Sequence, residues 1–286
     1  MELDQAIEFF SIFGGIEKYL ELDFFDDLES IIRFNFIDKY KSLQTLISPS
    51  YLLDEPYRSI LIAVARGDGR LSNIFRKARV GDSLGIRVLE ELVELDIVEL
   101  EESREAPLRR YPNQKLEKSL RSYKIESKVR FKTPFYRFWF GFVEPYSHEL
   151  SQKHSQRFFE NFEHHFSRLS SLVFEQLSND LLNLHYNNQL QSMGSYWDKN
   201  SEFDILAKTK SGETILGECK YKNRKICKNE LSKLKQKAEH SGIKVDTFAL
   251  FSKNGFSNEL LSSDDKNLLL FELNDFRYLI SEDSSI

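Results

Sequence analysis

The segment Glu202-Phe-Asp-Ile-Leu-Ala-Lys-Thr-Lys-Ser-Gly-Glu-Thr-Ile-Leu-Gly-Glu-Cys-Lys220 decides how the C-terminal half of this chain folds. Two runs with strand-like patterning, Glu202 to Lys208 and Thr214 to Tyr221, flank a polar stretch in which Gly212 supplies a turn. The pattern therefore predicts a β-hairpin. If the hairpin is centred on Ser211, its register follows, because each residue then faces the one equally far on the other side.

The side chains of this hairpin predict a metal site. Alternate residues of a strand share a face, so Glu218 and Lys220 point the same way. Asp204 would lie opposite Glu218, where two carboxylates about 5 Å apart repel each other unless a cation binds. Oxygen ligands suit Mg²⁺ or Mn²⁺ rather than zinc. The alternative is a solvent-facing hairpin in which Glu202 forms an ion pair with Lys220.

The same residues resemble the core of the PD-(D/E)XK nuclease superfamily. Asp204 matches the motif aspartate, Glu218 the second acid and Lys220 the lysine. Phe203 replaces the proline that precedes the aspartate, and Glu175 fits the glutamate that such domains carry on a preceding helix. The resemblance implies Mg²⁺- or Mn²⁺-dependent cleavage of DNA or RNA. It assigns metal binding to the three acids, and it assigns Lys220 to the attacking water or the phosphate.

The net charge of −5 conceals segments of opposite sign. Residues 107–137 contain ten Lys/Arg and two Glu, residues 208–237 contain ten Lys/Arg and three Glu, and residues 1–30 contain nine acids and one lysine. Basic segments either attract phosphate backbones or form solvated faces, and charge alone leaves both open. The candidate nucleic-acid contacts are Lys222, Arg224, Lys225, Lys228, Arg109 and Arg110.

The N-terminal half is predicted to form helices followed by a winged helix. Residues 1–48 have helical spacing of apolar positions, and residues 57–125 predict three short helices and a hairpin. That hairpin is expected to pair the strand Ile97–Leu100 with Arg109–Tyr111. The third helix, Leu84–Leu95, is acidic, which favours protein contacts over reading a DNA groove. The basic stretch that follows it keeps DNA binding open.

The expected fold class is mixed α/β, with an N-terminal helical and winged-helix part followed by a restriction-endonuclease-like α/β domain. Residues 157–280 predict the order helix, hairpin, helix, strand, helix, strand, helix, with parallel pairing beyond the hairpin. The predicted segments are 1–50 (helical), 51–130 (winged helix), 131–156 (an aromatic-rich, buried connector) and 157–286 (nuclease-like domain).

A series of motifs runs along the whole chain. It consists of Gly14-Gly15-Ile16 with Tyr19-Leu20, the winged helix, Tyr136-Arg-Phe138-Trp139-Phe140 with Phe142-Val143-Glu-Pro145, Trp197, and the Glu218-Cys-Lys220 strand. The series resembles the C-terminal region of archaeal-type AAA/STAND-like ATPases, which includes a nuclease-like domain of unknown function. An ATPase domain precedes this region in that family. The chain has no Gly-x4-Gly-Lys-Ser/Thr segment, so no ATP site is expected in it, and the resemblance implies an ATPase partner in trans.

Composition predicts a cytoplasmic protein. Cys219 and Cys227 are too few for a disulfide framework, and no apolar run is long enough to cross a membrane. Two functions of different classes follow: a metal-dependent nuclease, or a non-catalytic module that binds DNA or docks a partner beside a separate ATPase. Nucleic acid, with DNA favoured over RNA, is the expected partner. The oligomeric state stays open, and a dimer is compatible with the sequence.

Overall fold

The computed structural model describes residues 2–16, 27–105, 111, 113–121 and 123–279. These residues form a mixed α/β fold, which confirms the predicted class. The chain divides into two compact units, the first made of residues Met1–Glu101 and Ser127–Ser170, the second of Glu102–Glu126 and Ser171–Ile286. The unit boundary thus falls inside a long helix, and residues 102–126, which the sequence placed with the winged helix, join the second unit.

The first unit is mainly helical. Its α-helices are α1 (Leu3–Phe13), α2 (Leu28–Arg33), α3 (Tyr40–Gln44), α4 (Tyr57–Arg66), α5 (Leu71–Ala78), α6 (Asp82–Glu94), α7 (Pro134–Phe138), α8 (Ser147–Ser151) and the first part of α9 (Gln156–His185). Phe34–Asp38 and Trp139–Val143 are π-helical, and Ser50–Leu53 and Glu144–Tyr146 are 3-10 helical. The strands are β1 (Val98–Glu101) and β2 (Lys128–Phe131).

Helices α4 to α6 and the two strands follow the predicted winged-helix plan, with one correction. β1 pairs antiparallel with β2, a partner that the sequence did not predict, while Arg109 and Arg110 of the predicted partner strand Arg109–Tyr111 lie outside the described residues. β2 can pair with β1 because it buries two apolar side chains, Val129 and Phe131, in the core. The predicted partner strand has one apolar residue, Tyr111, and that residue is exposed.

The aromatic segment is the core of the first unit, as predicted for a buried connector. Phe135, Phe138, Trp139 and Phe140 are fully buried. Burying this much aromatic surface stabilises the unit, since each large side chain removes apolar area from water. The indole of Trp139 also donates a hydrogen bond (3.1 Å) to the buried carboxylate of Glu144.

The second unit is built on a five-stranded sheet. Its strands are β3 (Leu190–Trp197), β4 (Glu202–Thr209), β5 (Thr214–Lys220), β6 (Thr247–Ser252) and β7 (Leu268–Glu272), in the order β3-β4-β5-β6-β7. The helices are the rest of α9, α10 (Lys228–His240), α11 (Asn258–Leu261) and 3-10 turns at Lys118–Leu120 and Leu273–Leu279. β3, β4 and β5 are antiparallel, while β5, β6 and β7 are parallel. The parallel pairing expected beyond the hairpin is therefore confirmed.

Strand β3 is absent from the sequence-based prediction. Its residues Leu190-Gln-Ser-Met-Gly-Ser-Tyr-Trp197 mix apolar and polar types without regular alternation, most are half-buried, and the pairing with β4 has two register shifts. An irregular edge strand lacks the alternation that marks a regular one.

Among the described residues, no helix is long and apolar enough to span a bilayer.

Candidate metal and nucleic-acid site

The β4–β5 hairpin has the register that the sequence predicts. Ile205 pairs with Gly217 and Leu206 with Leu216, so paired positions are equidistant from Ser211. The paired ladder ends at Ile205 and Gly217, and Asp204 and Glu218 are the next residue on each strand. Gly217 allows the close approach of the two strands, because a Cβ there would lie 2.9 Å from the Ile205 side chain.

Asp204 is held at the end of this ladder by the backbone of β5. Its Oδ2 accepts a hydrogen bond of 2.7 Å from the N–H of Cys219. Burial and then the negative charge of Glu218 raise the pKa of Asp204 to about 7, although the Cys219 N–H, Lys220 and Lys237 act in the opposite direction. The carboxylate is therefore costly to ionise here, and a bound cation would remove much of that cost.

Glu218 and Lys220 form a pair on the face that strand alternation predicts. The Lys220 ammonium donates to Glu218 Oε1, and the two side chains are 28% and 21% exposed. Burial lowers the pKa of Lys220, but the Glu218 and Asp204 carboxylates outweigh it and raise that pKa above its usual value. The site thus keeps a charged ammonium beside two carboxylates, within reach of solvent.

Glu175 lies on α9 but is not gathered into one group with the other two acids. Burial, then the charges of Asp204 and Glu175, raise the pKa of the Cys219 thiol well above its usual value, so Glu175 lies near that thiol. Alternation turns Cys219 to the sheet face opposite Glu218. Across the described ranges, no three His, Cys, Asp or Glu side chains are close enough together to hold a metal ion.

Lys237 is a neighbour of the site that sequence reasoning missed. Its Nζ donates to the main-chain oxygen of Glu202 and lies 4.7 Å from the centre of the Phe203 ring. Its charge also favours ionisation of Asp204. Helical spacing places Lys237 off the apolar stripe of α10, and nothing in the sequence signals a contact across 35 residues.

The segment after β5 presents the predicted cations to solvent. Lys222, Arg224, Lys225 and Lys228 are all exposed. Arg224 pairs with Glu230 at 3.5 Å and Lys228 with Glu259 at 3.1 Å. Lys222 and Lys225 have no carboxylate partner within the described part of the chain. The other two predicted contacts, Arg109 and Arg110, lie outside the described residues.

Oxygen chemistry fits a hard divalent cation at this site. Asp204 and Glu218 offer carboxylate oxygens on adjacent antiparallel strands, and a small ion such as Mg²⁺ commonly binds through one or two carboxylates while keeping several waters. The two residues therefore meet the requirement without a third. Glu175 would join them only through a change in its side-chain position.

Part of the chain matches a protein-family model. The family model DUF234, described as archaea bacterial proteins of unknown function, matches residues 139–238. No curated protein matches the chain, and no solved structure matches it. The matched range contains the aromatic residues from Trp139 onward, α8, α9, strands β3 to β5 and most of α10. The chain is therefore similar, over about a third of its length, to a family of archaeal and bacterial proteins whose function is unknown.

Proposed function

We propose that this protein is a metal-dependent nuclease that cleaves phosphodiester bonds of DNA, or alternatively of RNA, at the β4–β5 hairpin. The observation that carries the proposal is the juxtaposition of Asp204, Glu218 and Lys220 on one hairpin. Burial, and then the negative charge of Glu218, raise the pKa of Asp204, so an ionised Asp204 is costly at this position. Such an arrangement is typical of a site that binds a cation.

The residues have distinct roles in this proposal. Asp204 and Glu218 would hold Mg²⁺ or Mn²⁺, and Glu175 would contribute if it turns toward them. A bound divalent ion supplies charge neutralisation at the phosphate and acidifies a coordinated water. Lys220 donates a hydrogen bond on the same face, so it can orient the attacking water or stabilise the charge that develops on phosphate oxygens.

The exposed cations beside the site support nucleic acid as the substrate. Lys222 and Lys225 follow β5 directly and lack carboxylate partners within the described residues, so they are available to phosphates. Lys237 adds a charge beside Asp204. Both cysteines are free thiols, which supports the cytoplasm as the compartment. An ATPase partner in trans remains part of the proposal through the family resemblance described above.

Cleavage assays with matched variants test the proposal. Plasmid, linear duplex, single-stranded DNA and RNA would be incubated with Mg²⁺ or Mn²⁺ and the wild-type chain, Asp204→Asn or Lys220→Met. We expect each variant to lose about 100-fold or more in rate, equivalent to about 2.7 kcal/mol of barrier. Asp264→Asn and Lys208→Met are matched controls, because both residues are exposed and lie outside the site.

Metal binding gives a second readout that does not depend on finding the substrate. Titration calorimetry with Mn²⁺ should show binding by wild type and by Asp264→Asn, and at least tenfold weaker binding by Asp204→Asn and Glu218→Gln. Equal cleavage by wild type and Asp204→Asn would contradict the proposal by indicating a contaminating nuclease.

The second candidate is a non-catalytic module that binds DNA or docks a partner beside a separate ATPase. The Lys220–Glu218 pair favours it, because this pair already neutralises one carboxylate without a metal. Salt-sensitive DNA binding with no Mn²⁺ binding and no cleavage would support this reading.

A further inference from the structure

Helix α6 presents a face that the described residues of its own unit leave exposed. Gly85, Val88, Leu89 and Leu92 form its buried stripe. On one flank of this stripe Ile86 and Val93 are 47% and 38% exposed, although both are strongly apolar. The two are seven residues apart, so they lie two turns apart along nearly the same line of the helix. The two exposed apolar side chains therefore lie on a common line along the helix surface.

Acidic side chains share this face. Glu90 lies one turn from both Ile86 and Val93, and Glu94 lies one turn after Glu90; both carboxylates are exposed. Neither has a basic partner among the residues that the structure describes. Arg87 is the single cation on this side of α6. We call these five residues, Ile86, Arg87, Glu90, Val93 and Glu94, the α6 face.

The helix is held firmly enough to present the face as a fixed surface. Gly85 packs against the ring of Phe75 on α5, and a Cβ at Gly85 would lie 2.4 Å from that ring. Glu91, on the flank, accepts hydrogen bonds from the hydroxyls of Tyr51 (2.7 Å) and Tyr57. These contacts fix the rotation of α6, so the α6 face keeps its orientation within the unit.

We infer that the α6 face docks a basic amphipathic helix of a partner protein, with apolar residues seven apart and Lys or Arg beside them. The apolar residues would cover Ile86 and Val93, and a cation would pair with Glu90 between them. Charge argues against other occupants. Phosphates of a nucleic acid would meet two carboxylates, and a second copy of this face would oppose like charges.

A pair of synthetic peptides tests this inference. One is a fluorescein-labelled helical peptide of about three heptads, with leucine at seven-residue spacing and lysine flanking it. Its twin carries glutamate in place of each lysine. Fluorescence anisotropy with the full chain should show saturable binding of the lysine peptide and at least tenfold weaker binding of the glutamate twin.

Variants of the chain locate the binding. Ile86→Ser combined with Val93→Ser, and separately Glu90→Lys, should each weaken binding of the lysine peptide about tenfold. Leu261→Ser is the matched control, because Leu261 is 55% exposed on α11 and lies in the other unit. Thermal melts by circular dichroism confirm that each variant is folded. No saturable binding, equal binding of both peptides, or equal loss with Leu261→Ser would overturn the inference.

A DNA competitor separates the protein partner from a nucleic acid. A labelled duplex should not bind more weakly to Glu90→Lys than to wild type, since the substitution removes a repulsive charge. Loss of duplex binding on Ile86→Ser with Val93→Ser would also overturn the inference, because it would show that the α6 face contacts DNA.

Discussion

Helices α6 and α10 have the same length and opposite surfaces. Each spans 13 residues and buries an apolar stripe, Val88, Leu89 and Leu92 in α6 and Leu231, Leu234 and Ala238 in α10. Their outer sides differ: α6 exposes Glu90 and Glu94 beside apolar residues, whereas α10 is lysine-rich and follows a lysine-rich segment.

The two proposals above would separate two kinds of partner along one chain. Amphipathic spacing requires only that one stripe be apolar, so the other side of each helix is free to carry recognition. A winged helix is often assumed to be the DNA-binding part of a protein. Under these proposals the phosphate contacts would instead belong to the unit with the hairpin site, and the winged helix would contact a protein.

The largest expected effect is a loss of stability when a residue of either buried stripe is truncated. Leu92→Ala and Leu234→Ala should each lower the free energy of unfolding by about 2–5 kcal/mol, because both side chains are almost fully buried. Chemical denaturation measures the loss. Glu90→Ala and Lys233→Ala, on the exposed sides, should change stability by less than about 0.5 kcal/mol. A large loss from either exposed change would remove the distinction between the two sides.

A smaller effect concerns phosphate binding. Lys222→Glu combined with Lys225→Glu should weaken binding of a DNA duplex about tenfold and make binding less dependent on salt, since fewer counterions are released. Binding would be measured by anisotropy at several salt concentrations. Lys41→Glu combined with Lys77→Glu makes the same change in net charge at exposed positions of the first unit and serves as the comparison. Equal changes from both double variants would show that only net charge matters.

The smallest effect is a pH dependence in the second unit. His185 is half-buried with its ring against Phe271, and burial lowers the pKa of its imidazole. At His185 the unfolded chain therefore binds a proton more readily, so this residue lowers the free energy of unfolding as the pH drops below about 6.5, while protonation of Asp204, whose pKa is raised, acts in the opposite direction. Compared with wild type, His185→Gln should therefore gain stability between pH 7 and pH 5. His240→Gln, at an exposed position on α10, should follow the wild-type pH dependence.

The hairpin site was predictable because its determinants are local. Strand alternation and a turn centred on Ser211 together place Asp204, Glu218 and Lys220, and the paired register agrees. The helix after the hairpin, α10, was also predicted from the local sequence. Local patterns were sufficient wherever neighbours in space are near in sequence.

The long-range pairing of β1 was not predictable. β1 pairs with a strand that begins 27 residues after β1 ends, and no local signal marks Lys128–Phe131 as its partner. Lys237 reaches the site through the tertiary fold, and Glu175 is placed by the packing of α9 rather than by its spacing from the hairpin. Whether the site is catalytic also stays a prediction, because the answer depends on where these distant side chains lie when the site is in use.

The tight turn of the β4–β5 hairpin lies at the opposite end of the strands from Asp204. Gly212, with φ of 91°, sits at its tip, and a side chain there would meet no atom within 4 Å. About five residues of strand, or roughly 17 Å, separate this tip from the carboxylates. An epitope or fluorophore could therefore be inserted at this tip, where it would report on the protein without disturbing its chemistry.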